Sequence, residues 1–113
     1  MLTPKDLNLY EDVAPDRPLG ARIAIVADVP TAAERSAGKA FAGVRGMVLD
    51  KILLATQLAR ADVALYHLIG DRVDSSELKG PQDAWQRWQT LLVDRLIEPR
   101  YKPNVIVPVG ERA

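Results

Sequence analysis

The sequence predicts an α/β fold, a three-layer sandwich in which helices cover both faces of a short parallel sheet with the strand order 2-1-3. Three apolar runs rich in β-forming residues support this prediction, and so does the helical periodicity of the segments between them. Strands that are joined through a helix pair in parallel, and this alternation is typical of α/β proteins. The 113 residues suffice for one such domain, which we place at residues 22–113, after an irregular N-terminal arm at residues 1–21.

The composition excludes several kinds of site. The chain has no cysteine, so disulfides, thiolate nucleophiles and cysteine-held zinc or iron–sulfur clusters are excluded. A single histidine without cysteines also argues against a transition-metal site, and we expect no cofactor. Fifteen basic residues balance fifteen acidic ones, so any contact with nucleic acid must come from a local site. No apolar run is long enough to cross a bilayer and no signal-peptide pattern opens the chain, which predicts a cytoplasmic protein with no membrane partner.

The first half of the chain contains the arm, a strand and a helix. Prolines and acidic residues make the arm irregular, with a short turn at residues 4–9, and we expect it to lie across the body of the domain. Residues 23–27 lack polar alternation, which predicts a central strand covered on both faces. A long polar loop follows, and residues 43–59 are predicted to form a helix. Its core-facing residues are expected to be Val44, Met47, Val48, Ile52, Ala55 and Leu58, with Asp50 and Lys51 toward water.

The second half adds two strands and a helix. Residues 63–69 predict a second buried strand, residues 73–81 a polar loop, and residues 104–109 a third strand. The helix between them begins near residue 81 and ends before Pro99. Its apolar stripe consists of Trp85, Trp88, Leu92 and Leu96, with Leu91 beside it. The two tryptophans can stack on exposed bases, but their place in this stripe favours a role in the core or an interface.

The third strand is expected to be an open and apolar edge of the sheet. Such edges are normally paired, covered or blocked. We therefore expect the N-terminal arm, a second copy of the chain or a separate protein to cover residues 104–109, with some protection from Pro108 and flanking charges.

Several junction segments resemble a known family when they are taken together. The first strand runs into ADVPT (residues 27–31), then Glu34, then GKAFAG (residues 38–43), and the later segments are DVALYH (residues 62–67) and KPNVIVPVG (residues 102–110). In order and spacing they resemble the uracil-DNA glycosylase superfamily, in particular its iron–sulfur branch. The resemblance runs from about Arg22 to Ala113 and implies a uracil-DNA glycosylase-like α/β domain.

The resemblance also implies roles for three residues. Asp28 would assist the water that attacks the sugar carbon, Phe41 would stack on a flipped uracil, and the residue at position 67 would read the polar edge of the base. The chain departs from the family pattern, because Asp28 is shorter than the family glutamate and His67 replaces an asparagine. The family's next helix, its fourth strand, its His-Pro loop and its cluster cysteines have no counterpart, which implies a degenerate and truncated member.

The candidate site lies in the crevice at the carboxyl ends of the first two strands, where open α/β sheets bind ligands. Asp28 and His67 are the catalytic candidates if the domain is active. The ligand-binding candidates are Ala27, Pro30, Phe41, Gly43 and His67, and the candidates for contact with the DNA backbone are Arg35, Lys39 and Arg45.

Each candidate also has an ordinary structural explanation. Asp28 can cap the turn after the strand, Phe41 can fill the core, and His67 can be a buried histidine without a ligand. The basic residues, including a second group at Arg95, Arg100, Lys102 and Arg112, can be a solvated surface.

Three functions remain open from the sequence. The first is a catalytically degenerate domain that binds DNA, a nucleotide or a replication or repair protein through the crevice. The second is an active glycosylase that uses Asp28 and His67, completed by a partner chain if needed. The third is a small inhibitor or adaptor that binds proteins through the third strand and the tryptophan helix.

Overall fold

The computed structural model describes residues 3–7, 11, 13–69 and 82–109, and the side chains of residues 82–85 also lie outside that description. The elements are strands β1 (Ile23–Ala27), β2 (Val63–His67) and β3 (Val105–Val109), helices α1 (Ala32–Ala37), α2 (Val44–Ala55) and α3 (Gln82–Ile97), and short 3-10 turns at Lys5–Leu7 and Arg60–Asp62. In the described part of the chain, no helix has both the length and the apolar character needed to span a bilayer.

The sheet is parallel throughout and has the strand order β2-β1-β3, as predicted. Ile23 lies opposite Val63 on one side and Val105 on the other. At the far end of the strands, Ala27 lies opposite His67 and Val109. The carboxyl ends of all three strands therefore meet at one edge of the sheet.

Helices cover both faces of the sheet, so the three-layer prediction is confirmed. Leu49 and Leu53 of α2 pack with Val63 and Leu65 of β2 in one apolar cluster. Trp88 and Leu91 of α3 belong to a second cluster, which contains Ala24, Val26, Ala64 and Tyr66. Because neighbouring strand residues point to opposite faces, β1 and β2 each supply residues to both clusters. The stripe of α3 is confirmed at Trp88, Leu92 and Leu96, whereas the side chain of Trp85 and the loop at residues 73–81 lie outside the described residues.

The segment after β1, predicted as a loop, contains the short helix α1, so this prediction is wrong. The Thr31 hydroxyl accepts a hydrogen bond from the Glu34 amide, and the Glu34 carboxylate accepts one from the Thr31 amide, which forms a capping box. Gly38 ends the helix in a left-handed conformation, with φ 64°. The local T-x-x-E and glycine signals explain why a helix forms among these polar residues.

Helix α2 forms where it was predicted, but the prediction of its buried face is wrong. Gly46, Leu49 and Leu53 face the sheet, whereas four of the residues that were expected in the core are more than half exposed. These exposed residues are Val44, Met47, Val48 and Ile52. The helix is apolar on almost every side, so its periodicity could not select a face. It ends at Ala55 because Gln57 adopts φ 61°, which breaks the right-handed helix.

The N-terminal arm lies across the body of the domain, next to β2. Asp16 and Leu65 exchange backbone hydrogen bonds of 3.0 and 2.8 Å in an antiparallel bridge, and Val13 is buried in the α2-side cluster. Arg17 stacks on Tyr101, with the guanidinium carbon 4.0 Å from the ring centroid. The described part of the arm thus protects the β2 edge and not β3, contrary to one of the expectations for that strand.

Strand β3 is an open and apolar edge, as predicted. All five of its residues are exposed, and the large apolar ones have 40–52% of their surface accessible. In contrast, all five residues of β2 are buried, and Leu68 and Ile69 continue that segment in the core. In β1, Ile23 and Ile25 are only half-buried because the sheet face beside β3 is uncovered.

Candidate functional site

The candidate site is built where β1 and β2 end. The Leu68 amide donates a 2.7 Å hydrogen bond to the Ala27 carbonyl, and the Ile69 amide donates one of 3.0 Å to the Asp28 carbonyl. These bonds hold the two strand ends together and place His67 opposite Ala27. The loop that leaves β1 returns over this point through α1, whose Glu34 lies next to His67.

Glu34 is the centre of the site, although its side chain is completely buried. Its Oε1 accepts hydrogen bonds from the hydroxyl and the amide of Thr31, at 3.0 and 3.3 Å, and its Oε2 accepts one of 2.9 Å from the Phe41 amide. One carboxylate thus fixes the start of α1 and the segment that precedes α2. A buried carboxylate of this kind is tolerated because donors surround it.

Two basic side chains complete the surroundings of Glu34. The Arg45 guanidinium Nη1 lies 3.1 Å from Oε1, and His67 Nε2 lies 2.8 Å from Oε2. The imidazole and the carboxylate are at ion-pair distance but lack the alignment of a hydrogen bond, and Nδ1 is buried with no hydrogen-bond partner in the described part of the chain. We assign the imidazole proton to Nε2, next to the carboxylate, which makes Nδ1 an acceptor.

The charges of this cluster follow from its burial and its partners. Burial by itself raises the pKa of Glu34, but the Phe41 amide, His67, Arg45 and Thr31 together bring that pKa below its usual 4.5. Burial lowers the pKa of His67 below its usual 6.5, and the proximity of Glu34 only partly opposes this effect. Near neutral pH the site therefore contains an anionic Glu34, a cationic Arg45 and a neutral His67.

Phe41 lies against His67 in an unusual backbone conformation. The two rings are stacked with their centroids 6.3 Å apart and their planes at 25°, and the Arg45 guanidinium carbon lies 5.6 Å from the centroid of Phe41. Phe41 has φ 53°, a region that residues other than glycine rarely occupy. Arg60 holds this conformation, since its Nη2 donates hydrogen bonds to the carbonyls of Phe41 and Gly46. The only phenylalanine of the chain is thereby fixed at the site by its backbone.

The structure brings most of the predicted ligand-binding residues to the strand ends. Ala27, the last residue of β1, and Pro30, in the loop after it, are buried. Gly43 directly precedes α2 and has φ 73°. Gly43 needs this freedom because a Cβ there would lie 2.8 Å from that of Ala33. Asp28, the catalytic candidate, is half-buried after β1, whereas Nε2 of His67 is directed to Glu34.

The three basic residues proposed for DNA contact differ in their surroundings. Arg35 donates a 3.1 Å hydrogen bond to the Pro30 carbonyl, and Arg45 is engaged with Glu34 and Phe41. Lys39 is exposed at a shallow pocket of about 260 Å³. That pocket is lined by Lys39, Phe41, Ala42, Gly43, Gly46, Met47, Asp50 and Arg60.

Glu34 was not among the predicted site residues, although it lies within the segments that resemble the family pattern. The signal that could have identified it is the T-x-x-E spacing from Thr31, which predicts a capping box and hence a carboxylate turned inward. No spacing rule could have paired it with His67, which lies on another element. Among the described residues, no group of three or more His, Asp or Glu side chains converges as a metal site would require.

Comparison of the chain with protein-family models and with curated proteins gave no match.

Proposed function

We propose that this chain is a degenerate uracil-DNA glycosylase-like domain that binds DNA through a single unstacked base without excising it. The observation that carries the proposal is the contact between the rings of Phe41 and His67 at the carboxyl ends of β1 and β2. The family resemblance assigns base stacking and base reading to these two positions. Their proximity at the carboxyl ends of two neighbouring parallel strands is what such an assignment requires.

Base binding is supported by the chemistry of the two rings. Phe41 is only 4% exposed, so a base reaches its aromatic face only when the ring separates from His67. Its left-handed φ of 53° is a strained conformation of the kind that persists at ligand sites. A base that stacks on Phe41 would replace the His67 ring as its neighbour. The edge of that base would then lie next to Nδ1 of His67, which is a hydrogen-bond acceptor. The polar edge of uracil or thymine carries an N–H that can donate to it. Lys39 is exposed on the same loop and can contact a backbone phosphate.

The electrostatics of the site oppose excision. Cleavage of the bond between sugar and base requires stabilisation of the negative charge that develops on the departing base. The imidazole at the reading position is neutral near pH 7, and the carboxylate behind it is anionic. The Arg45 charge is directed to that carboxylate, 3.1 Å away. A bound base is therefore held beside groups that do not favour its departure as an anion.

Binding to fluorescent single-stranded oligonucleotides, with thymine or uracil at the centre, tests this proposal across a salt series. We expect binding at low salt that Phe41→Leu weakens by about tenfold or more, since stacking on an aromatic side chain contributes roughly 1–3 kcal/mol per base. Leu54→Ser, which removes an exposed apolar side chain from the far flank of α2, is the matched control. Circular dichroism verifies that both variants are folded.

Two results would overturn this proposal. Equal affinities of the parent protein and Phe41→Leu, or no binding at low salt, would remove the base-binding site. Alkali-labile abasic sites in the uracil-containing strand, abolished by Asp28→Asn, would instead establish an active glycosylase.

A further inference from the structure

The sheet face that α2 covers is only half covered. Helix α2 packs on β2 and β1 through Leu49 and Leu53. The β3 side chains on that same face are identified by their register with Ile23, Ile25 and Ala27; they are Val105, Val107 and Val109, and they are exposed. Helices pack about 10 Å apart and strands about 4.8 Å apart, so one helix covers roughly two strands. Within the part of the chain that the structure describes, a slot for one more helix thus remains above β3.

The outer surface of α2 is uncovered as well. Val44, Met47, Val48 and Ile52 are 53–77% exposed, and they surround Lys51, whose aliphatic stem can lie along an apolar surface while its ammonium group reaches solvent. Twelve residues make α2 about 18 Å long, and five residues make β3 about 17 Å long. The uncovered helix surface and the uncovered strand therefore match in length and in apolar character.

The flank of α2 that borders the slot contains Val48 and Ile52. This orientation follows from the right-handed connection from β1 through α2 to β2, together with the 3.6-residue period. Two contacts agree with it. Arg45, on the Ile52 flank, donates to the Val29 carbonyl just after β1, and Asp50, on the opposite flank with Leu54, pairs with Arg60 just before β2.

We infer that the slot is filled by α2 of a second copy of this chain. A two-fold axis that runs parallel to the strands, beside Val48 and Ile52, inserts each α2 above β3 of the other copy. The two α2 helices then form one shared layer between the two sheets and meet through Val48 and Ile52. A single symmetry operation covers both apolar surfaces, and this self-complementarity is what a two-fold interface requires.

Pairing through the open edge of β3 explains the structure less well. The Val105 amide donates to the Arg22 carbonyl, at 3.1 Å, so Val105, Val107 and Val109 direct their amides toward β1. Ile106 and Pro108 occupy the outward positions, and proline has no amide hydrogen to donate. A strand added at this edge also leaves the outer surface of α2 exposed. The face of β3, not its edge, is therefore the interface.

Sedimentation equilibrium at micromolar concentrations tests the dimer. We expect a particle of twice 12.4 kDa, and we expect Val48→Glu and Ile52→Glu to weaken association by about a hundredfold or more. Leu54→Glu, on the opposite flank of the same helix, is the matched control and leaves the dimer intact. A monomeric parent protein would overturn the inference and leave the slot to a helix of another protein. The inference would also fail if Leu54→Glu weakened dimerisation as much as Val48→Glu or Ile52→Glu.

Cross-linking keeps the test decisive if a glutamate variant fails to fold. The chain has no cysteine, so a single introduced thiol reports on its own position. Val48→Cys lies near the two-fold axis, and we expect oxidation to join two copies covalently. Leu54→Cys lies away from the axis and stays monomeric on denaturing gels. A Leu54→Cys dimer that forms as fast as that of Val48→Cys would contradict the proposed axis.

Discussion

The carboxylate of Glu34 lies 2.8 Å from the imidazole Nε2 of His67, and both side chains are almost fully removed from solvent. This contact joins α1 to the end of β2, two elements that are separated by the whole of α2. It also supports the assignment of the imidazole proton to Nε2 of His67. The same carboxylate accepts from the Phe41 amide, so the geometry of the candidate site depends on one buried anion.

Glu34→Gln should destabilise the fold by about 3 kcal/mol, as measured by urea unfolding. The substitution keeps the size of the side chain but leaves the Arg45 charge without its partner, and it disturbs the acceptor of the Phe41 amide. Asp50→Asn is the matched control, because it also removes one carboxylate from an ion pair with an arginine, but at an exposed position. We expect a clearly smaller effect there. Equal effects of the two substitutions would show that Glu34 does not organise the loop.

Stability should decrease when the pH falls through the range below about 6.5. His67 takes up its proton near 6.5 in the unfolded chain but only at lower pH in the folded one, because burial lowers its pKa and Arg45 adds to this effect. Glu34 and the more distant Glu11 oppose the shift without reversing it. The unfolded state thus binds more protons, and acidification favours unfolding. Below its usual pKa of 4.5, Glu34 adds a further loss in the same direction.

Urea unfolding from about pH 8 to about pH 3 checks this dependence. His67→Asn restores the residue type of the family pattern. In this variant the free energy of unfolding should no longer fall as the pH decreases just below 6.5, but it should still fall below about 4.5, where Glu34 is protonated. A stability that rises on acidification through 6.5 would mean that the folded state holds an imidazolium, contrary to the assigned charges.

Gly46→Ala should cost about 3 kcal/mol and displace Phe41 from His67. A Cβ at this position would overlap the Phe41 carbonyl, which Arg60 holds in place by a 3.1 Å hydrogen bond. Gly38→Ala is the control, because its Cβ would meet no atom within 4 Å and only its φ of 64° is unfavourable for alanine. That control should cost about 1 kcal/mol. Urea unfolding measures both, and a Gly46→Ala protein as stable as the control would refute the close approach.

The strands and their order were predictable because strand signals are local. Residues 23–27 and 63–67 form buried apolar runs whose helical connection requires parallel pairing, and the structure has them side by side. Helix α1 was missed because it is short and polar, although Thr31 and Glu34 contain its start signal. The buried face of α2 could not be predicted. It depends on the close approach of Gly46 to the Phe41 carbonyl, which lies in a loop.

The sequence by itself determined the α/β class, the central position of β1 and the presence of a histidine at the end of β2. Its apolar periods and turn residues act over a few neighbouring positions, so they are readable without the fold. Only the tertiary structure decided that Glu34 is turned inward between Arg45 and His67, because burial and charge pairing join residues from different elements. The same holds for the bare surfaces of α2 and β3, since exposure depends on which elements are present to cover them.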